Sequence, residues 1–138
     1  MSDISLIAGI KVLVVDDEPD ILEVLEELLD MCHVTTASTF EQAKNLLETQ
    51  VFDIAILDIM GVDGYGLLEI TKQKNIPAVM LTAHAFSAGN LVKTIKEGAY
   101  AYVPKEEISR IADFLVDAMK AKKKGENPWH VWEERLPS

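Results

Sequence analysis

The chain has 138 residues, 49% of them hydrophobic and 7 of them glycine, which describes one compact domain with enough apolar mass for a core and excludes a disordered chain. A formal net charge of −10 sets it against nucleic acid, whose phosphates it would repel. A single cysteine, Cys32, excludes an internal disulfide framework and fits a reducing cytoplasm. The apolar stretch from Ile4 to Val15 is interrupted by Lys11 and is much shorter than the ~18 residues of a membrane span. No basic leader with a small-residue cleavage site precedes it, so a soluble, cytoplasmic protein is expected.

Strand and helix patterns alternate five times along the chain. The first strand, residues 11–15, leads to a helix opening at Glu18-Pro19, with Ile21, Leu22, Leu25, Leu28 and Leu29 as its apolar stripe. A short second strand, 33–37, is followed by Ser38-x-x-Glu41, which reads as a capping box for a helix that buries Ala43, Leu46 and Leu47. The run Phe52-Asp53-Ile54-Ala55-Ile56-Leu57, apolar but for Asp53, forms a third strand closed by Asp58. The loop Gly61-Val62-Asp63-Gly64 opens a third helix with Tyr65, Leu67 and Leu68, which ends before Asn75 and Pro77. The fourth strand is 78–82, the fourth helix 88–97 with a stop at Gly98, and the fifth strand 100–103. The last helix shows Ile108, Ile111, Ala112, Leu115 and Met119 at helical spacing. Five such units predict an α/β fold, a doubly wound five-stranded parallel sheet.

In an open α/β sheet, ligands gather beyond the carboxyl ends of the strands. Asp16-Asp17 leaves the first strand there and Asp58 the third, so three carboxylates are expected to face one another. Such a cluster needs a cation to offset its repulsion, and a metal site is the first reading. Cys32 and His33 lack further ligands at metal-binding spacing and are read as a small buried side chain and the start of a strand.

Several separated motifs agree in order over residues 10–122: Val14-Val15-Asp16-Asp17-Glu18-Pro19, Leu57-Asp58-Ile59-Met60, Asp63-Gly64-Tyr65, Leu81-Thr82-Ala83, and Gly98-Ala99-x-x-Tyr102-x-x-Lys105. On these the chain resembles a response regulator receiver domain of the CheY type, with strand order 2-1-3-4-5. The resemblance implies that Asp58 accepts a phosphoryl group from a histidine kinase or phosphotransfer protein. It also implies that Asp16 and Asp17 hold Mg²⁺, with the backbone carbonyl of Met60 among the ligands. Thr82 would then move toward the phosphoryl group and Tyr102 swing inward, altering the surface of the fourth helix, fifth strand and fifth helix for a protein partner.

The chemistry agrees with the resemblance. Mg²⁺ takes carboxylate and phosphate oxygens, so Asp16, Asp17 and Asp58 suit it better than a softer metal. A carboxylate can attack phosphorus in line if a metal and a fixed cation offset charge, and Lys105 is that cation, with Thr82 as a hydroxyl donor. Ala83 and His84 are candidates for lining the pocket. Taken singly, each of these residues has an ordinary explanation as a cap, turn or surface group; together they point to phosphoryl transfer.

Two departures from the family pattern stand out. Only Ile59-Met60-Gly61-Val62 separates Asp58 from Asp63, about two residues fewer than receivers usually carry, so the loop beside the phosphoacceptor is shortened. Glu106 follows Lys105 where receivers commonly have a cis proline. Without proline a cis bond costs about 2.5 to 4 kcal/mol, so a trans bond and a different loop path to Lys105 are expected.

The expected organisation is a leader at 1–9, the receiver at 10–122 and an extension at 123–138. There Lys122-Lys123-Lys124-Gly125 ends a helix, and Trp129, Trp132 and Leu136 recur at helical spacing. About 16 residues are too few for a helix-turn-helix, so the extension is not a DNA-binding output domain, and a stand-alone receiver that signals by protein contact and is not a turnover enzyme is expected. Two alternatives remain. One is a phosphorylation-independent module on the same fold, which the shortened loop keeps in view. The other is an aspartyl-phosphate phosphohydrolase of the haloacid dehalogenase kind, whose Asp-x-Asp after the first strand is replaced here by Asp16-Asp17-Glu18. A flavin-binding flavodoxin-like protein is weaker, because no Ser/Thr/Gly-rich phosphate loop follows the first strand.

Overall fold

The computed structural model describes residues 4–83 and 88–125, with the backbone alone for 88–91; His84, Trp129, Trp132 and Leu136 lie outside the described residues. Five parallel strands, β1 (Lys11–Val15), β2 (His33–Ala37), β3 (Ile54–Asp58), β4 (Ala78–Thr82) and β5 (Ala101–Pro104), pair in the order β2-β1-β3-β4-β5. The helices α1 (Pro19–Leu28), α2 (Phe40–Thr49), α3 (Gly64–Gln73), α4 (Ala88–Lys96) and α5 (Ile111–Lys124) alternate with them. The doubly wound sheet and its strand order are those expected from the sequence.

Alternation along the strands separates two cores. Leu13, Val15, Ala55, Leu57, Met80 and Tyr102 face α2 and α3, together with Ile95 of α4. Val12, Val14, Ile54, Ile56, Val79, Leu81 and Val103 face α1 and α5 through Leu25, Leu29, Ile111 and Leu115. Both faces being covered, β3 and β4 are buried at every position, which is why their sequences read as unbroken apolar runs.

Three details differ from the sequence reading. The cap of α2 is Thr39, whose hydroxyl accepts from Gln42 N–H at 3.1 Å, and Gln42 Oε1 accepts in turn from Ser38 N–H at 2.9 Å. The capping box is therefore displaced by one residue from Ser38 and Glu41. After β5 the chain forms 3-10 turns over Lys105–Arg110, with Glu107 off helical geometry, so α5 starts at Ile111 and Ile108 packs from the turns rather than from the helix. The stretch read as a leader belongs partly to the domain body. A 3-10 turn at Ile4–Leu6 packs on α5, and Ile7 is fully buried in the second core. The carbonyl of Ile7 accepts from Cys32 Sγ at 3.2 Å; burial, and then the charge of Asp30, push the Cys32 thiol up from its ordinary value. All peptide bonds among the described residues are trans, including the one after Lys105.

Candidate functional site

The register of the sheet brings the site together. Val15 of β1 pairs with Leu57 of β3, so the next residues, Asp16 and Asp58, leave adjacent strands side by side at the carboxyl edge. Both are buried, at 0% and 3% exposure. Asp16 Oδ1 accepts from Glu18 N–H at 2.8 Å, which fixes the carboxylate at the start of α1. Asp58 Oδ2 accepts from Gly61 N–H at 3.0 Å.

Lys105 comes across from the end of β5. Pro104 immediately before it fixes the backbone entering the 3-10 turns. Its ammonium lies 3.0 Å from Asp16 Oδ2, 3.3 Å from Asp58 Oδ1 and 3.6 Å from Glu18 Oε1. Burial works to lower the Lys105 pKa, but contact with Asp16 and the charges of Asp58 and Glu18 outweigh it and hold the pKa above the ordinary value. For Asp16 the balance runs the other way. Desolvation pushes its carboxyl up more than the Glu18 N–H and Lys105 bring it down. Asp16 Oδ2 meets Lys105 as an ion pair, yet no well-aligned hydrogen bond satisfies it.

The shortened loop after β3 shapes the rest. Gly64 N–H returns to the carbonyl of Ile59 at 3.2 Å, and the chain folds back so closely that a Cβ on Gly64 would lie 2.3 Å from the Asp58 carbonyl oxygen. Gly61 is pressed onto the acids, since a Cβ there would stand 2.3 Å from Asp17 Oδ1 and 2.6 Å from Asp58 Oδ2. Asp63 caps α3 from the left-handed conformation, its carboxylate accepting from Gly66 N–H at 3.2 Å. Met60 sits in this turn with its side chain 69% exposed.

Asp16, Asp17 and Glu18 bring their ligand oxygens within 4.8 Å of one another. A buried carboxylate oxygen with unfilled hydrogen-bonding capacity, beside two more accessible carboxylates, is a donor set suited to a hard divalent cation. Thr82 is buried at the end of β4, one residue beyond the Asp58–Leu81 pair, and Ala83 follows it exposed. Tyr102 is buried in the core between the sheet and α2 and α3, at 2% exposure. Tyr65 packs against the same core, its hydroxyl on α3 pairing with the buried Thr94 hydroxyl of α4 at 2.8 Å, and the Lys93 ammonium lies 4.8 Å from the Tyr65 ring centroid.

Asp16, Asp17, Asp58 and Lys105 thus converge as expected, and Thr82 ends the neighbouring strand. Two contributors were not singled out from sequence: Glu18, the third consecutive acid, which reaches Lys105, and Gly61, which donates to Asp58. The run of three acids was a legible signal for the first. The second depends on the path of the shortened loop, which no spacing rule fixes.

The response regulator receiver domain model matches residues 12–115. Over 129 residues, 86% of this chain, the sequence is 41% identical to "Probable transcriptional regulator ycf27" of Guillardia theta, and it covers 50% of that protein. It is 32% identical over 117 residues to the response regulator protein PilR of Pseudomonas aeruginosa, covering 80% of this chain and 26% of PilR. The chain therefore spans about half or less of the length of these relatives. Among solved structures, the receiver domain of the Francisella response regulator 1452 superposes with a TM-score of 0.73 at 27% identity, over 83% of this chain and 99% of that one. A receiver domain protein from Clostridium thermocellum gives 0.71 at 29% identity, over 83% and 97%. A family model spanning most of the chain, laid over two acidic strand ends bridged by one lysine, makes the chain a member of the response regulator receiver domains of two-component systems.

Proposed function

We propose that this receiver takes a phosphoryl group onto Asp58 from a histidine kinase or phosphotransfer protein and passes the signal to a protein partner, as a stoichiometric cytoplasmic phosphoacceptor rather than a turnover enzyme. The observation that carries the reading is the Lys105 ammonium held between Asp16 and Asp58 at 3.0 and 3.3 Å. In the transfer a carboxylate oxygen of Asp58 bonds to phosphorus, the bond from phosphorus to the donor histidine breaks, and its electron pair leaves with the imidazole. Lys105 offsets charge on the phosphoryl oxygens, and the N–H of Gly61 steadies the attacking carboxylate. Asp16 and Asp17, with the carbonyl of Met60, would hold Mg²⁺, which supplies charge stabilisation to the phosphoryl group when bound. Thr82 then donates its hydroxyl to the new phosphoryl group, and Tyr102, inward behind it, stabilises the arrangement of α4, β5 and α5 that the partner reads.

The test is mass spectrometry after incubation with acetyl phosphate and Mg²⁺. A hydroxylamine-sensitive phosphoryl adduct is expected, absent from the Asp58→Asn variant and from a chelated sample. An adduct that persists in Asp58→Asn and maps to Asp16 would overturn the reading in favour of a phosphohydrolase. Failure to accept phosphate from acetyl phosphate, together with no Mg²⁺ binding by calorimetry, would favour a phosphorylation-independent module.

A further inference from the structure

At the edge of the sheet opposite Asp58, the segments entering β3 and β4 and the last turns of α5 surround a groove of about 540 Å³. Phe52, Ile76 and Met119 give it an apolar floor, and Val51 stands on the rim with 76% of its surface exposed. Lys74 and Lys122 bring positive charge to the same rim. Across Met119 and Lys122 a second hollow of about 340 Å³ continues to Leu6, Lys120 and Lys123. Val51 and Leu6 are two of the four large hydrophobic side chains exposed among the described residues, so half of them lie on this face. The carboxylate in the lining, Asp53, is engaged, its Oδ2 accepting from Lys11 N–H at 2.8 Å. An apolar floor with lysines around it suits an apolar segment that carries carboxylates.

The chain supplies that segment where it is needed. α5 ends at Lys124, two residues past the Lys122 that borders both hollows, and residues 126–138 continue from there. They contain Trp129 and Trp132, the only two tryptophans of the protein, and three glutamates, Glu126, Glu133 and Glu134, against the single basic Arg135. Trp129 follows Gly125 by four residues, a reach of about 13 Å at the ~3.3 Å per residue of extended chain. We propose that residues 126–138 dock on this face, with Trp129 and Trp132 covering the apolar surface around Met119 and the glutamates meeting Lys74 and Lys123. Each indole covers about 150–250 Å² of surface, so two of them can cover the patch. The domain then carries its own cover at the α5 end, remote from the acidic pocket.

Because both tryptophans lie in this segment, intrinsic indole fluorescence of the intact protein reports on it alone. The expected result is emission blue-shifted from that of the urea-unfolded chain, with acrylamide quenching reduced several-fold, both unchanged on dilution. Val51→Glu and Lys74→Glu alter exposed positions; combined, they should shift the emission to the red while the far-UV circular dichroism and the melting temperature stay those of a folded receiver. Native emission equal to that of the unfolded chain overturns the docking. So does a blue shift lost on dilution, which assigns the groove to a second copy, or one indifferent to the double variant, which places the indoles elsewhere.

Discussion

Asp16 is fully buried with a carboxyl whose pKa is raised by desolvation, so its ionised form is a cost to the folded state. The folded chain holds that proton more tightly than the unfolded chain, whose value is near 3.8. Stability from this group is complete below that value and is lost as pH rises through the folded pKa. In chelated buffer, Asp16→Asn is therefore expected to stabilise the protein at neutral pH by about 1 kcal/mol, the usual scale of one substitution. The gain should disappear near pH 3.8. Urea titrations of both proteins at several pH values check it, and a loss of stability at neutral pH would show that the Lys105 contact outweighs desolvation. The acids and Lys105 were legible because each stands at the end of an apolar strand, where only the strand register is needed to bring them together. Gly61 was not legible, because its contact with Asp58 arises from the path taken by the four residues between Asp58 and Asp63.

Elements were legible in their kind and less so in their ends. The apolar runs of β3 and β4 and the stripe of α1 follow directly from burial on two faces or one. The start of α2 was misplaced by one residue because Ser38 and Thr39 can both cap. The choice falls to Gln42, whose side chain can turn back to Ser38 while its N–H donates to Thr39. Between α3 and α4 one tie among the described residues is a pair of hydroxyls, Tyr65 to Thr94, which neither helix pattern announces. Tyr65→Phe leaves the buried Thr94 hydroxyl without that partner and is expected to cost about 1–3 kcal/mol. Urea unfolding measures the loss, and amide exchange should rise most in α4. Unchanged exchange there would mean that packing, rather than the hydroxyl pair, fixes the helix.

For the whole molecule, the alternation of five strands and helices sufficed for the architecture, since short connections and covered parallel strands leave few other arrangements. It did not place the amino-terminal segment. A few apolar residues ahead of a strand carry no period, and Ile7 is recognisable as core only once α5 and Cys32 are beside it. Ile7→Ala should accordingly destabilise the domain by about 2–5 kcal/mol, as a deletion from the core rather than from a tail. Thermal or chemical unfolding reads the effect, and a change below the scatter of a surface substitution would return the segment to the role of a leader.

The strand at the end of the sheet limits how this protein can be recognised. β5 is four residues long and stands at the edge of the sheet, and because Tyr100 N–H donates to the Ala78 carbonyl of β4, alternation leaves Ala101 and Val103 with their main-chain groups facing outward. A neighbouring chain that extended the sheet there would meet the main-chain groups of those two residues alone, a short ladder with little register of its own. Whatever binds along this border draws mostly on side chains projecting from the helices and from the strand's own face. Selectivity then resides in residue identity and can be retuned one substitution at a time, whereas a partner held by strand addition would be gripped through main chain that every sequence shares.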